Sequence, residues 1–236
     1  MIEVKGFSKK YGKLTVLKDV NLRIEEGSIT AVVGPNGSGK TTLIKSMLGL
    51  ALIEEGEIRI NNHALNSECS YRRDIGYMPQ LSRYPDNLST RELLDMLKDL
   101  RNTREDLDEE LIEKLDMVKE MDKPTRNLSG GTRQKVSAII AFLFSPKLLM
   151  LDEPTAALDP VSSSYLKDKI IKENNRGKTI ILTSHNMNEI DELSKNIIFL
   201  LEGRVFFEGM VDELKKLTGQ ENLERAVANL MKGSVS

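Results

Sequence analysis

Cysteine, tryptophan and an excess of either charge are what this chain of 236 residues has least of. It contains one cysteine, no tryptophan and a formal net charge of −2. A lone cysteine excludes an internal disulfide and fits a reducing compartment, and we expect Cys69 to be inert because no basic cluster flanks it. The charges of both signs are interspersed, so we expect no nucleic acid among the partners.

Long hydrophobic runs are also missing. The run 138–144 is among the longest, and it falls far short of the about 20 residues that a membrane-spanning helix needs. The first residues, Met1–Lys5, contain no apolar signal region. We therefore expect a soluble, cytoplasmic chain. Its length suits one α/β domain with a modest insertion and leaves no room for a second nucleotide-binding copy.

Apolar runs of strand length alternate with longer helical patterns, which is typical of an α/β fold with crossover helices. A helix is predicted over 39–50, directly after the first of the predicted strands. A tight turn at Glu202-Gly203 predicts a terminal hairpin. The predicted strands are 29–33, 57–60, 75–78, 148–151, 179–183, 197–201 and 204–207.

The segment 81–127 differs from its surroundings, because it is rich in charge and has no strand-like run. A capping box at Ser89–Glu92 opens one predicted helix, and 108–118 has the apolar spacing of a second. We interpret the segment as a helical subdomain inserted into a core of residues 1–80 and 128–209. A C-terminal tail, 210–236, is predicted to form two amphipathic helices over 211–217 and 223–231.

The segment Gly34–Thr41 reads G-x-x-x-x-G-K-T, the pattern of a phosphate-binding loop. It follows a strand and opens a helix, so unpaired N–H groups and the positive end of the helix dipole would face the phosphates. Lys40 would reach the β- and γ-phosphates, and the Thr41 hydroxyl would ligate Mg²⁺. A surface glycine turn is the alternative interpretation, and the strand–loop–helix context disfavours it.

Two further motifs carry charge-binding chemistry. Asp152 ends an apolar strand, where a buried carboxylate is costly unless it serves a cation, so it suits a magnesium-binding role. Ser129-Gly130-Gly131 precedes a helical run, and a serine cap followed by glycines makes a second anion-binding helix start. In their order along the chain and in their residues, these three motifs resemble those of the ATP-binding subunits of ABC transporters.

The resemblance implies a P-loop NTPase core, with a mixed sheet, flanking helices and an inserted helical subdomain. It also implies a head-to-tail dimer that encloses two ATP molecules, with Ser129 of one copy contacting the γ-phosphate held by the other. Asp159 would lie where the two copies meet. Thr132 stands where the family usually has glutamine. The phosphate contact of the serine-glycine turn is still expected, and only its fine tuning is in doubt.

Individual roles follow from the same resemblance. Glu153 would polarise the attacking water, His185 would touch the γ-phosphate, and Tyr11 would stack on adenine with Val16 beside it. The implied catalytic residues are Lys40, Ser129, Glu153 and His185, and the implied magnesium-binding residues are Thr41, Gln80 and Asp152. The implied nucleotide-binding residues are Tyr11, Val16, Gly34, Asn36, Gly37, Ser38, Gly39, Lys40, Thr41, Thr42, Gln80, Ser129, Gly130, Gly131 and His185.

A closer resemblance is carried by 128–136 and by the tail 218–231, which look like the ATPase of the ABC system that matures nitrous oxide reductase. That resemblance implies copper or sulfur supply, a separate transmembrane permease and a periplasmic maturation factor. The chain would sit on the inner face of the cell membrane. The ten methionines are scattered and mostly in apolar patterns, which favours core packing over copper binding.

Other interpretations remain open. An exporter ATPase with another cargo would carry the same motifs, since they do not encode the cargo. A soluble ABC-type ATPase acting on ribosomes or DNA would usually have tandem cassettes, and a P-loop kinase would leave Gln80 and His185 without roles. A non-catalytic binding module is disfavoured by the intact Glu153.

Overall fold

Residues 2–65 and 70–233 are described by a computed structural model, and Cys69 lies outside the described residues. Contacts within the chain group the residues into two units, Met1–Arg72 with Thr179–Ser236, and Arg73–Lys178. The phosphate loop belongs to the first unit. The acidic strand end and the serine-glycine turn belong to the second.

An antiparallel sheet in the first unit has the order β2-β1-β4-β5. Its strands are β1 (Ile2–Tyr11), β2 (Leu14–Ile24), β4 (Glu55–Ile60) and β5 (His63–Ala64). No strand is predicted before Ile29, although β1 and β2 lie there, and for β1 the structure shows why the pattern is weak. Register shifts interrupt β1 between Val4 and Phe7 and again between Phe7 and Lys9, so the alternation of apolar and polar residues breaks down.

A mixed sheet in the same unit is built around β3 (Ile29–Val33), which is buried along its whole length. It pairs in parallel with β8 (Thr179–Thr183) and β9 (Asn196–Leu201), and β9 pairs antiparallel with β10 (Arg204–Met210). Strands buried on both faces read as continuous apolar runs, which is why β3 and β8 have their predicted bounds. The helices of this unit are α1 (Lys40–Met47), α6 (Met187–Leu193), α7 (Val211–Thr218) and α8 (Leu223–Gly233).

The second unit contains β6 (Ile75–Met78), which pairs in parallel with β7 (Leu148–Asp152). Its helices are α2 (Thr90–Arg101), α3 (Glu110–Lys114), α4 (Gly130–Phe142) and α5 (Pro160–Asn175). The predicted capping box of α2 is confirmed: Ser89 Oγ accepts from the Glu92 N–H at 3.2 Å, and the Glu92 carboxylate accepts from the Ser89 N–H at 2.8 Å. None of the helices in the described ranges is long and apolar enough to cross a membrane.

The prediction of one helix over 108–118 is wrong at its end. Asp116 adopts a left-handed conformation, with φ of 51°, and this stops α3 after Lys114. A separate 3₁₀ turn follows at Val118–Glu120, and Val118 is 57% exposed instead of lying on the buried face. The predicted boundaries of the core, the helical subdomain and the tail remain predictions.

An ionic cluster connects α3 to α5 within the second unit. The Lys169 ammonium is almost fully buried and lies 2.5 Å from Asp108 Oδ2, 2.7 Å from Glu110 Oε2 and 3.2 Å from Glu173 Oε1. Lys172 adds a second cation 2.8 Å from the Glu110 carboxylate. Because several carboxylates surround one buried ammonium, the segment before α3 is fixed to α5 by charge as well as by packing.

Candidate functional site

The phosphate loop connects β3 to α1 and depends on glycine at two points of close approach. A Cβ on Gly34 would lie 2.1 Å from the Leu200 carbonyl oxygen, and one on Gly39 would lie 2.6 Å from the side chain of Leu17. Gly34, Gly37 and Gly39 all have positive φ, of 149°, 81° and 107°. At Gly34 and Gly39, a side chain would therefore fit only if neighbouring atoms moved.

Lys40 is the first residue of α1, and its side chain folds back over the loop. The Lys40 Nζ donates to the carbonyl oxygens of Gly34 at 2.8 Å and Pro35 at 3.2 Å. The ammonium is thus held against the main chain of the loop, at the end of α1 where the N–H groups of an α-helix have no partners within the helix. This arrangement suits a phosphate group, because a positive charge lies at the start of a helix.

The residues predicted to contact adenine also lie in the first unit. Tyr11, at the end of β1, is 51% exposed, and the Lys9 ammonium lies 5.4 Å from its ring centroid. Val16 is half-buried, and its carbonyl oxygen is the close neighbour of two glycines. A Cβ added to Gly39 would lie 3.2 Å from that oxygen, and one added to Gly203 would lie 2.3 Å from it. Tyr11 thus offers an open aromatic face, while Val16 is fixed by its surroundings.

His185 follows β8 in a short connection to α6, and its side chain is exposed. Hydrogen bonds on either side define this connection. Ser184 Oγ donates to Glu189 Oε2 at 2.6 Å and accepts from the Asn186 N–H at 3.0 Å, and Asn186 in turn caps α6. The histidine is therefore presented from an ordered loop at the carboxyl end of a buried parallel strand, where α/β folds place ligand-binding residues.

In the second unit, β7 ends at the two predicted acids. Asp152 is only 2% exposed and Glu153 only 7%. Glu153 has φ of 54°, a left-handed conformation that interrupts the strand and turns its side chain away from the alternation of β7. Burial, followed by the charge of Asp152, raises the pKa of Tyr77 on the paired strand to about 12. A carboxylate buried at a strand end fits a hard cation such as Mg²⁺, for which oxygen ligands are preferred.

The serine-glycine turn is the start of α4. Ser129 is the N-cap, its side chain is exposed, and its Oγ accepts from the Thr132 N–H at 3.1 Å. A Cβ on Gly131 would lie 2.8 Å from the Ala157 carbonyl oxygen, whereas Gly130 faces open space. Thr132, the departure from the usual glutamine, places its hydroxyl 2.8 Å from that of Ser129. The serine hydroxyl therefore has a side-chain partner on α4 as well as a main-chain one.

Gln134 is a site residue that the sequence analysis missed. It is buried on α4, and its Nε2 donates to the carbonyl oxygens of Glu153 at 3.3 Å and Pro154 at 3.4 Å. The helix that begins at Ser129 is thereby joined to the main chain of the predicted catalytic acid. The signal in the sequence is weak, because Gln134 is one of two buried polar residues on α4, with Ser137, and such residues can satisfy their hydrogen bonds in many ways.

The last two predicted residues also belong to the second unit. Gln80 is exposed in the turn after β6. Asp159 is the N-cap of α5, and hydrogen bonds from the Ser162 hydroxyl and N–H lower the pKa of its carboxyl, with a further contribution from Lys135. The Lys135 ammonium, on α4, lies 3.2 Å from Asp159 Oδ2. Gln134 and Lys135 thus connect α4 to the beginning and the end of the segment between β7 and α5.

A phosphate loop that opens one helix and a serine-capped, glycine-rich start of another define an ATP-binding cassette. A family model for ABC transporters matches residues 17–156. The chain is 32% identical to the lantibiotic transport ATP-binding protein SrtF of Streptococcus pyogenes, over 97% of this chain and 96% of that one. It is 36% identical to the probable branched-chain amino acid transport ATP-binding protein LivF of Archaeoglobus fulgidus, over 91% and 94%.

Solved structures agree with these relatives. An ATP-binding subunit of an ABC transporter superposes with a TM-score of 0.91 at 28% identity, covering 98% of this chain and 99% of that one. A dimeric ATP-binding cassette in a post-hydrolysis state, bound to ADP and Pi, superposes with a TM-score of 0.78 at 30% identity, over 89% and 98%. The chain belongs to the ABC transporter ATP-binding family and is an ATPase with the α/β fold of that family.

Proposed function

We propose that this ATPase drives a separate membrane permease by closing, as a dimer with a second copy of itself, around two molecules of ATP. The observation that carries the proposal is the pair of helix starts built for anions, one at Lys40 and the other at Ser129. One phosphate loop is enough to bind the phosphates of a nucleotide, so the second anion-binding helix start needs another explanation. Two such starts are accounted for if each nucleotide is held by the loop of one copy and the serine-glycine turn of the other.

In the proposed reaction, Lys40 and the main chain of Gly34–Lys40 hold the β- and γ-phosphates, and Tyr11 holds the adenine. A water oxygen bonds to the γ-phosphorus while the bond to the bridging β–γ oxygen breaks. Glu153 accepts the proton from that water, and His185 and Ser129 stabilise charge on the γ-phosphate. Magnesium, when bound through Thr41, Gln80 and Asp152, supplies neutralisation of the phosphate charge.

The membrane partner is supported by the relatives. The family is one of transporters, and the matched proteins of similar length are named as transport ATP-binding proteins. No described helix can cross a membrane, so a permease on another chain would supply the path for the cargo. We propose that the chain is attached to the cytoplasmic face through that permease.

Glu153→Gln tests the dimer and the base together. The variant should bind ATP, hydrolyse it about 10²–10⁴-fold more slowly and elute as a dimer only with ATP and Mg²⁺, because loss of the base traps the closed state. Phosphate release and multi-angle light scattering measure the two effects. Lys40→Ala, which should lose nucleotide affinity, is the matched control for ATP-independent dimers. Wild-type turnover in Glu153→Gln would refute the assigned base.

A more specific hypothesis is that the ATPase supports copper or sulfur supply for nitrous oxide reductase. It rests on the amino-acid sequences of the segments 128–136 and 218–231. The relatives named above transport other cargo, so an ATPase of unspecified cargo is the better-supported assignment. Methionine gives the copper role no help, since Met47, Met78 and Met150 are fully buried in the core. Deleting the gene and measuring the copper content of nitrous oxide reductase would test the finer role directly.

A further inference from the structure

A buried lysine of the first unit lies next to the aromatic ring that is proposed to hold adenine. Lys9 is only 5% exposed, whereas Tyr11, two residues further along β1, is 51% exposed. The Lys9 ammonium lies over the Tyr11 ring, 5.4 Å from its centroid. We propose that Lys9 is a positioning residue, which fixes the Tyr11 ring and favours ligands that carry a base over bare phosphates. The inference rests on the proposed function for the contact between Tyr11 and adenine.

Hydrogen bonds hold the Lys9 ammonium in place. Burial of a lysine is costly unless its charge has partners. The Lys9 Nζ donates to the Leu52 carbonyl oxygen and to Glu54 Oε1, both at 2.9 Å. Leu52 and Glu54 belong to the segment that connects α1 to β4, so the ammonium is held between that segment and β1. Because it is bonded at two points, the ammonium has little freedom to leave the ring beside it.

The ammonium occupies the inner side of the Tyr11 ring. Along β1, Val4, Phe7 and Lys9 are buried, whereas Lys10 and Tyr11 at the end of the strand are exposed. Since Lys9 is almost excluded from water, the ring face turned towards it is the protected one, and the exposed part of the ring is left for a ligand. A base that stacks there would complete a layered order of base, phenol ring and ammonium.

This layered order has an electrostatic reason. Both faces of an aromatic ring carry partial negative charge, so two rings stacked face to face repel each other in part. A cation on the far face of the phenol ring attracts its π electrons and weakens that repulsion. The Glu54 carboxylate does not cancel this effect, because its side chain is 53% exposed and water screens its charge, whereas the ammonium is buried.

A ring that is fixed before the nucleotide arrives also binds at a lower entropic cost. A free tyrosine side chain must lose rotational freedom when a base stacks on it, and the contact with Lys9 removes part of that loss in advance. The phosphates, which the loop Gly34–Lys40 is proposed to hold, gain nothing from the ring. Loss of the Lys9 charge should therefore weaken the binding of ATP but not that of inorganic tripolyphosphate.

The next lysine of the chain provides a matched control. Lys10 pairs with Glu55 at 3.5 Å, much as Lys9 pairs with Glu54, but the side chains of Lys10 and Glu55 are 51% and 58% exposed. An ion pair as exposed as this contributes little to stability. Lys10→Met therefore removes a lysine from an ion pair on the same strand and leaves the cation over the Tyr11 ring in place.

Isothermal titration calorimetry of the full chain with ATP and with tripolyphosphate, in buffer without Mg²⁺, tests the inference. Lys9→Met should weaken ATP binding about 3- to 10-fold and leave tripolyphosphate binding unchanged. Lys9→Gln, which loses the charge but keeps a donor for the Leu52 carbonyl, should have the same effect. Lys10→Met should change neither affinity. Thermal unfolding checks each variant, and Lys9→Gln carries the test if Lys9→Met does not fold.

Removing the ring separates this inference from the proposed function. Tyr11→Leu should weaken ATP binding, and Lys9→Gln added to it should have no further effect, since the ring through which the charge acts is gone. The inference would be overturned if Lys9→Gln weakened the binding of both ligands equally, left ATP affinity at the wild-type value, or still acted without the ring. Wild-type ATP affinity in Tyr11→Leu would count against the proposed adenine contact itself.

Fluorescence measures the fixing of the ring directly. The chain contains no tryptophan, so Tyr11→Trp introduces a single fluorescent probe at the ring position. ATP should change its emission and tripolyphosphate should not, and Lys9→Gln should move the midpoint of the ATP titration by the factor found in calorimetry. Without nucleotide, the anisotropy decay should show more local motion of the tryptophan with Lys9→Gln than with Lys10→Met. Equal local motion in the two would overturn the positioning role of Lys9.

Discussion

Gly34 shows how a single residue can fix the geometry of a nucleotide site. Its φ is 149°, and an added Cβ would lie 2.1 Å from the carbonyl oxygen of Leu200 on β9. Gly37 has φ of 81° in the same loop, but an added Cβ would meet open space. The two glycines separate the effect of a steric clash from that of backbone strain alone.

Gly34→Ala should therefore weaken ATP binding far more than Gly37→Ala. Strain at Gly37 costs about 1–2 kcal/mol, or about 5–30-fold in affinity if it falls entirely on the bound state. The clash at Gly34 adds a displacement of the loop from β9, so binding should be lost or the fold weakened. Isothermal titration calorimetry and thermal unfolding distinguish these results, and equal effects of the two substitutions would contradict the geometry.

Gln134 should act through the position of Glu153. Gln134→Leu removes the two hydrogen bonds that Nε2 donates to the carbonyls of Glu153 and Pro154, each worth about 1 kcal/mol, so kcat should fall about tenfold with little change in KM. Ser137→Ala, one turn further along the buried face of α4, controls for loosening of the helix. Steady-state kinetics measure both variants, and a fall in kcat as large for Ser137→Ala would reduce Gln134 to a structural role.

At the scale of elements, the ionic cluster around Lys169 predicts a dependence of stability on pH. Hydrogen bonds from Lys169, and then from Lys172, lower the pKa of Glu110 from 4.5 to about 2. A carboxyl whose pKa is lower in the folded state stabilises the fold fully above pH 4.5, and this contribution is lost as the pH falls from 4.5 towards 2.

Glu110→Gln should consequently lower the free energy of unfolding at pH 6, and the difference from wild type should shrink between pH 4.5 and 3. Urea unfolding at several pH values measures it. Glu113→Gln is the matched control, since Glu113 lies on the same helix and has no ion pair within the described part of the chain. A difference independent of pH would mean that the cluster does not stabilise through the charge of Glu110.

Sequence patterns predicted the elements unequally, and the reasons are physical. Strands buried on both faces, such as β3 and β8, were predicted with their observed bounds because continuous apolar runs of that length are a clear signal. The bulged β1 and the early end of α3 were missed, since both depend on the conformation of single residues. The roles of the motif residues were predicted from the sequences of the motifs and stay predictions, whereas the contact of Gln134 with the Glu153 main chain could be seen only in three dimensions.

At the scale of the molecule, the proposed dimer predicts which residues of two copies should meet. Asn36, in the phosphate loop, and Ser129 are both exposed. In a Cys69→Ser background, one sample of Asn36→Cys and one of Ser129→Cys are mixed and treated with a short bis-maleimide. Both variants also carry Glu153→Gln, and a covalent heterodimer should then form when ATP and Mg²⁺ are added. Asn61→Cys, exposed in the turn between β4 and β5, provides the control, and equal crosslinking there would contradict the head-to-tail arrangement.

The Val16 carbonyl joins parts of the chain that are far apart in sequence. A Cβ on Gly203, in the turn between β9 and β10, would lie 2.3 Å from that oxygen, and the Lys18 N–H donates to the Gly203 carbonyl at 2.8 Å. The turn between β9 and β10 thus packs against β2 at Val16 and Lys18. If Val16 lies beside the adenine as proposed, Gly203→Ala should weaken ATP binding by displacing the main chain at Val16, and isothermal titration calorimetry would measure the loss.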